Sequence, residues 1–390
     1  MGKMFKRNKI NESVAIVIGN NHYNTLGMLR SVGKTDTDVV LILNETGQAY
    51  VSKSRFAKTV FIAKSNEEVL ELIKKSAVKY NKAFLFPLTD SMAILLDKCF
   101  DSFPHNVFVP NMRGRLMDYE NKQTSKTYAQ KSGLLVPQSI VLDFSKKNEV
   151  EFPSRYPLII KPLASVEGFK SDIRIVYNDN DYKEYLSVLK ARGYSQVLVE
   201  EFIDGKKSYM IEVMGYSTSK GVKVTGVVNK IREYPISNGS TSFAMIVDVS
   251  DGVDLDAIKR YIKTSGFVGL FDIELKYADG KVFFIECNFR NGAPNYAITL
   301  INKINTPFNW MIESEGGEIN DSKFFSNRRF MVEQTDILNC LKGNVRFLKW
   351  VKDFLGSQKV FWSFSDMSPC FFYYFQMSML LIKRMFRKVR

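Results

Sequence analysis

Residues 13–19, SVAIVIG, form an unbroken apolar and β-branched run that ends in Gly-Asn-Asn-His. Such a run predicts a strand buried on both faces of a parallel sheet, leading into a ligand-facing loop. Further apolar runs at 39–43, 60–62 and 83–87 alternate with helical spacing at 25–32, 66–79 and 91–99, and leucines and valines recur with a helical period in the second of these helices. This alternation predicts a small open α/β sheet, on which ligands approach the carboxyl ends of the strands. Asn20, Asn21, His22, Asn24, Thr89 and Asp90 follow such strands and are candidates for substrate contact. For Asp90 the competing reading is a plain helix cap. No GxGxxG follows the first run, so a dinucleotide fingerprint is not supported.

Downstream, residues 121–133 read as a helix stopped by Gly133, with a strand entry at Val136-Pro137. Residues 156–162, YPLIIKP, are an apolar strand carrying Lys161. A segment of that kind does not hold a lysine without a partner, so Lys161 is expected to point at an anion. Lys126 and Lys131 read as solvated. Residues 197–205 predict a strand bending at Asp204-Gly205, 208–215 and 222–228 antiparallel strands, and 255–265 a helix. In the hairpin at 269–292, Asp272 and Glu274 share one face of the first arm, and Phe284, Glu286 and Asn288 share one face of the return arm. A two-residue Asp279-Gly280 turn would set Glu274 opposite Ile285 and point the acidic faces apart. A three-residue loop, Ala278-Asp279-Gly280 with Gly280 in the left-handed region, joins them. Glu274, Glu286 and Asn288 then converge as an oxygen-only set suited to Mg²⁺, completed by nucleotide phosphates, and Arg290 offers its fork to a phosphate or carboxylate. The competing reading is the solvated side of an ordinary hairpin.

The chain of 390 residues is long enough for two or three domains. With 45% hydrophobic and 25% charged residues it reads as a soluble globular protein, and its net charge of +14 suggests an anionic partner. No aromatic-interleaved basic stripe or zinc-finger spacing favours nucleic acid. Cys99, Cys287, Cys340 and Cys370 include no CxxC pair, as expected of free thiols in a reducing compartment. The start, MGKMFKRNKI, lacks the long apolar region of a signal peptide, so a cytoplasmic location is expected. Residues 369–382, PCFFYYFQMSMLLI, are intensely apolar and precede a basic end. They are short of the roughly 20 residues of a span. A basic amphipathic end suits peripheral contact with an anionic inner membrane face; a helix packed on the body is the alternative.

The run FIECNFRNG resembles the metal-binding strand of the ATP-grasp superfamily, whose usual form is Glu-x-Asn-x-Arg. The resemblance extends in outline from residue 13 to 315 and implies an α/β (α+β) ATP-grasp fold behind an N-terminal Rossmann-like open-sheet domain. Residues 1–115 would form that first domain, 116–205 the central subdomain, 206–315 the C-terminal subdomain with the metal site, and 316–390 an extension. ATP and Mg²⁺ are implied, with Glu274, Glu286 and Asn288 holding the metal and Arg290 steadying the transferred phosphate. Lys122 and Lys161 would reach the nucleotide phosphates, and backbone groups near Glu200, Glu201, Phe202 and Ile203 would pair with the adenine edge. Two departures stand out. Residues 163–171, LASVEGFKS, hold one glycine where the family has a glycine-rich lid, leaving Ser165, the backbone and Lys170 to cover the phosphates. Ser208 stands where a ribose-gripping glutamate is common. Residues 230–246, KIREYPISNGSTSFAMI, resemble the branch that joins amino groups to carboxylates, including D-aspartate ligase-like proteins. Lys230 and Arg232 then become candidates for binding an acyl phosphate or carboxylate, against a solvated strand edge, and Asn291 joins the substrate candidates. The implied activity is an ATP-dependent carboxylate–amine ligase working through an acyl phosphate on small-molecule acid and amine substrates, such as an amino acid and a sugar acid of a surface-polysaccharide precursor. Carboxylase or carbamoyl-phosphate chemistry is an alternative that the KIREYP run disfavours. A degenerate nucleotide-binding scaffold at the membrane is another, favoured by the poor lid and Ser208 and opposed by the intact Glu-x-Asn-x-Arg set.

Overall fold

The computed structural model describes residues 13–35, 37–44, 48–146, 155–163, 170–236, 239–248, 252–319 and 326–387, so Ser165 and most of the 163–171 segment lie outside the described residues. The first sheet is parallel, with β1 (Ser13–Gly19), β2 (Asp38–Leu43), β3 (Thr59–Ile62), β4 (Lys82–Pro87) and β5 (Val107–Phe108) in the order β3-β2-β1-β4-β5. Central β1 is flanked by β2 and β4, and Val14 to Ile18 are fully buried. That double-sided burial is why the strand reads as a continuous apolar run. Helices begin immediately beyond the carboxyl ends of β1 and β4. The His22 imidazole accepts a hydrogen bond from the Asn24 N–H at 3.2 Å, and the Thr89 hydroxyl accepts one from the Met92 N–H at 3.3 Å. The cap of the second helix is therefore Thr89, which leaves the Asp90 carboxylate available for other partners.

A four-stranded sheet follows, formed by β6 (Ser139–Asp143), β7 (Leu158–Lys161), β8 (Arg174–Val176) and β9 (Gln196–Glu201) in the order β6-β9-β7-β8. It carries the helix Asp179–Ala191 and a small core of its own, including Ile160, Tyr185, Leu189 and Val199. The third sheet has seven strands: β10 (Ser208–Thr218), β11 (Gly221–Tyr234), β12 (Ser240–Val247), β13 (Gly269–Ala278), β14 (Lys281–Asn288), β15 (Arg328–Met331) and β16 (Gln358–Lys359). Their order is β14-β13-β10-β11-β12-β15-β16. The segment after Pro307, where the sequence is least informative, thus supplies the last two strands at one end of this sheet, β15 and the edge strand β16.

One core joins the parallel sheet to the seven-stranded one. Trp310, from the helix Thr306–Ser314, is almost completely buried and meets Phe84 and Phe86 of β4 edge-on at 6.0 and 5.4 Å. The carboxyl ends of β1 and β4 are thereby held over one face of β13 and β14.

The hairpin differs from expectation in a way that matters for the site. Its turn has two residues, with Ala278 paired to Lys281 and Asp279 and Gly280 at φ +44° and +91°. Asp279 is held in this left-handed conformation because its carboxylate accepts the Lys206 and Lys207 N–H groups at 3.2 and 2.9 Å. Parity is corrected instead by a bulge. Leu275 pairs with Phe284 and Glu274 with Glu286, leaving Ile285 as the extra residue. Phe284 consequently joins the core beside Leu275 and does not share a face with Glu286.

Candidate functional site

Three adjacent strands place one carboxylate each in a row: Glu212 on β10 lies opposite Glu274 on β13, which lies opposite Glu286 on β14. In the neighbouring row Asp272 faces Asn288. Like charges directly opposite one another are destabilising unless a cation lies between them. Lys230 of β11 supplies part of that charge, its ammonium 3.0 Å from Glu212 and 3.4 Å from Glu274. Burial opposes the charged lysine, yet Glu212 and Glu274 outweigh it and hold the ammonium well above the ordinary lysine range. Asp272 is pushed well above the usual carboxylate range by burial, then by Glu212 and Glu274.

These residues floor a cavity of about 400 Å³, roofed by Asn20, His22, Asn24, Leu88, Thr89 and Asp90 at the carboxyl ends of β1 and β4. Lys122, Asn288 and Arg290 also line it. Arg290 grips Asp90 with two nitrogens, at 2.6 and 3.3 Å, and donates to the Asn288 amide oxygen at 3.1 Å. Asp90 is thus the partner of the arginine fork as well as the first residue of its helix. Glu120, beside Lys122 and Glu286 in an adjoining recess, is lifted to about 8 by burial and then by Asp90.

Other sequence candidates lie elsewhere. Lys161 does point at an anion, but a protein one: its ammonium is 2.8 Å from Glu200. Lys126, expected in solvent, is buried and pairs with the same carboxylate. Burial and neighbouring ammonium groups lower both lysines from the ordinary range, Lys126 feeling Lys161 and Lys122, and Lys161 feeling Lys122. Glu201 and Phe202 spend their N–H groups on the carbonyls of Gln138 and Pro157, Ile203 is buried, and the Ser208 hydroxyl donates to Asp204. None of these four lines the cavity. Arg232 is neither in the cavity nor on a solvated edge. Its guanidinium binds Asp336 at 2.8 Å and Asp353 at 2.6 Å and lies over the Phe243 ring at 4.2 Å. Asn291 is buried in an amide network with Asn24 and Asn295, and the Asn21 side chain accepts the Val51 N–H, so both stitch the fold rather than line the cavity. Among residues passed over in the sequence, Glu212 and Thr241 are prominent; the Thr241 hydroxyl donates to Glu212 at 3.1 Å. A single acid inside the apolar run YMIEVM of β10 was the available signal, the same one that marked Lys161.

The donor chemistry suits a divalent cation. Glu274, Glu286 and Asn288 offer hard oxygens on one face, and one ligand atom from each of Glu212, Asp272 and Glu274 lies within 4.8 Å of the others. The charge of the row exceeds what Lys230 neutralises. The acids of the hairpin and the ends of the parallel sheet thus enclose one cavity, while Lys161 of β7 and Lys126 of the helix Lys122–Lys131 meet at Glu200 on the separate small sheet.

The chain has the ATP-grasp fold. It superposes with a TM-score of 0.65 on the N5-carboxyaminoimidazole synthetase of Staphylococcus aureus complexed with ADP, covering 87% of this chain and 88% of that one at 14% identity. In sequence it is similar to a D-alanine–D-alanine ligase of Pelagibacter ubique, 28% identical over 184 residues, which are 44% of this chain and 58% of that protein. A carbamoyl phosphate synthase large chain of Halomonas eurihalina is 23% identical over 141 residues, 35% of this chain, and the match takes in only 13% of that protein's length. No family model matches the sequence.

Proposed function

We propose that the protein is an ATP-dependent ligase joining a carboxylate to an amine through an acyl phosphate. The observation that carries the reading is the row Glu212–Glu274–Glu286 facing Arg290, under a roof built from the ends of a separate parallel sheet. A carboxylate oxygen of the substrate attacks the γ-phosphorus of ATP, and the bond to ADP breaks. The amine nitrogen then attacks the acyl carbon, the bond to phosphate breaks, and the nitrogen gives up a proton. Arg290, Lys122 and Lys230 place positive charge around the transferring group, and Arg290 is kept in orientation by Asp90 and Asn288. Glu274, Glu286 and Asn288 would hold Mg²⁺, which when bound offsets the charge of the phosphates. No side-chain nucleophile is needed, since positioning and electrostatics suffice.

The similarity to a D-alanine–D-alanine ligase supports amide formation, and the D-aspartate ligase-like run at 230–246 directs attention to amino acids as one partner. Lys230, Gly239, Ser240 and Thr241 of that run reach the cavity. A sugar acid of a surface-polysaccharide precursor is our candidate for the other partner. Purified protein with Mg²⁺ and ATP, offered panels of carboxylates and amines, should release ADP only when one member of each panel is present. ADP release with bicarbonate and no amine would replace this reading with a carboxylase, and failure to bind nucleotide would remove it altogether.

A further inference from the structure

Twenty large apolar side chains stand open to solvent among the described residues, and thirteen of them fall between Leu341 and Ile382. Apart from Leu341, at the end of the helix Glu333–Leu341, they belong to two helices, Phe347–Leu355 and Ser368–Arg387, and to the loop between them. Leu348 is 82% exposed, Phe364 85% and Phe375 63%. The two helices form one surface, because Trp350 and Phe354 of the first line the same apolar cavity, about 730 Å³, as Phe364 and Tyr374. Trp362 meets both Phe364 and Phe371 edge-on.

Its charge is one-sided. From Leu341 to Arg390 the chain has ten basic residues and two acidic ones, Asp353 and Asp366. Both acids are turned inward: Asp353 pairs with Arg232 and Asp366 with Arg30. The surface therefore shows solvent an apolar field edged by cations, with no exposed carboxylate from this stretch among the described residues.

The end of the second helix indicates what covers this field. Met377, Met379, Leu380 and Ile382 are all exposed, and at 100° per residue they point to every side of the helix. A helix docked in a protein groove buries one stripe; apolar residues all round require an apolar surrounding. The helix is not long and apolar enough to cross a membrane. Lys383, exposed at the end of this stretch, can keep its charge at headgroup level while the preceding apolar turns are immersed.

We propose that this surface docks the protein on an anionic lipid bilayer, with the Ser368–Arg387 helix embedded at the interface and the Phe347–Leu355 helix lying beside it. The inference stands independently of the ligase reading. It is tested with the full chain, sedimented with phosphatidylcholine vesicles that contain or lack phosphatidylglycerol. The protein should pellet with the phosphatidylglycerol vesicles, stay in solution with phosphatidylcholine alone, and be released by high salt. Leu348→Glu and Phe375→Glu, both at exposed positions, should each lower vesicle partitioning by about tenfold or more while leaving the thermal midpoint and ATP binding unchanged. Equal binding to both vesicle types, or unaltered binding by both variants, would overturn the proposal. So would a protein that ignores vesicles and instead self-associates through this surface, as seen by light scattering.

Discussion

Glu286 sits where electrostatic cost and chemical use meet, since its carboxylate faces Glu274 directly across the strands. Glu286→Gln removes one like charge and keeps the shape, so the folded protein should lose no stability. Turnover should fall by roughly 10²-fold or more, because a charged donor to the expected cation is gone. Thermal unfolding and ADP release measured on the same preparation check both halves, and wild-type turnover in the variant would refute the metal assignment. Glu120 gives the pH counterpart. Burial and then Asp90 raise it from 4.5 to about 8, so between these values the folded form holds a proton that the unfolded chain has released. Its contribution to stability is complete below about pH 4.5 and is lost as pH rises toward 8. In metal-free protein, Glu120→Gln should flatten the wild-type decline in thermal midpoint across that window; the same decline in both proteins would show that another group is responsible.

At the scale of elements, the β13–β14 turn is anchored by one side chain. Asp279→Ala leaves a left-handed backbone to a residue that disfavours it and removes the acceptor of two N–H groups. A loss of about 1–2 kcal/mol is expected in denaturant unfolding, with Asp279→Gly, which relieves the φ strain, losing less. If the two variants unfolded alike, the strain component would be refuted. The same hairpin shows what the sequence could convey. β1 was legible because burial on both faces writes itself as an unbroken apolar run, and Glu274 because an acid alternating with apolar residues marks a face. The bulge at Ile285 was not, since an extra residue in FFIEC leaves no trace in composition and the parity could be restored by the turn or by the strand. Arg232 was misplaced for a different reason. Its partners Asp336 and Asp353 lie 104 and 121 residues away, and periodicity is silent on pairings at that distance. Lys126 and Glu200 belong to the same class of error, a buried pair assembled from separate elements.

For the whole molecule, Arg30 and Asp366, both side chains fully buried, tie an early helix to the C-terminal segment. Arg30 donates to the Asp366 carboxylate at 2.9 Å and to the carbonyls of Val360, Phe361 and Asp366. Asp366 in turn accepts the Ser54 hydroxyl and the Arg55 N–H. The C-terminal segment is therefore fastened to the helix Tyr23–Gly33 and to residues 54–55, which belong with the parallel sheet that roofs the cavity, and the exposed apolar helices hang from this fastening. Removing one partner strands the other charge in the interior, which typically costs about 3–5 kcal/mol, whereas replacing both with apolar residues costs far less. Asp366→Ala should accordingly destabilise the protein by about that amount, and Arg30→Met combined with Asp366→Leu should recover part of it. Because the fastening positions the roof, the single variant should also weaken ATP-dependent turnover while leaving nucleotide binding largely intact, as the cavity-lining residues Lys122, Glu274 and Glu286, proposed to serve the phosphates and their cation, sit on other elements. A double-mutant cycle followed by chemical denaturation, with ADP release in parallel, separates these effects. Additive stability losses in that cycle would show that the two side chains do not act as a pair and that the ends of the chain are joined by the surrounding apolar core alone.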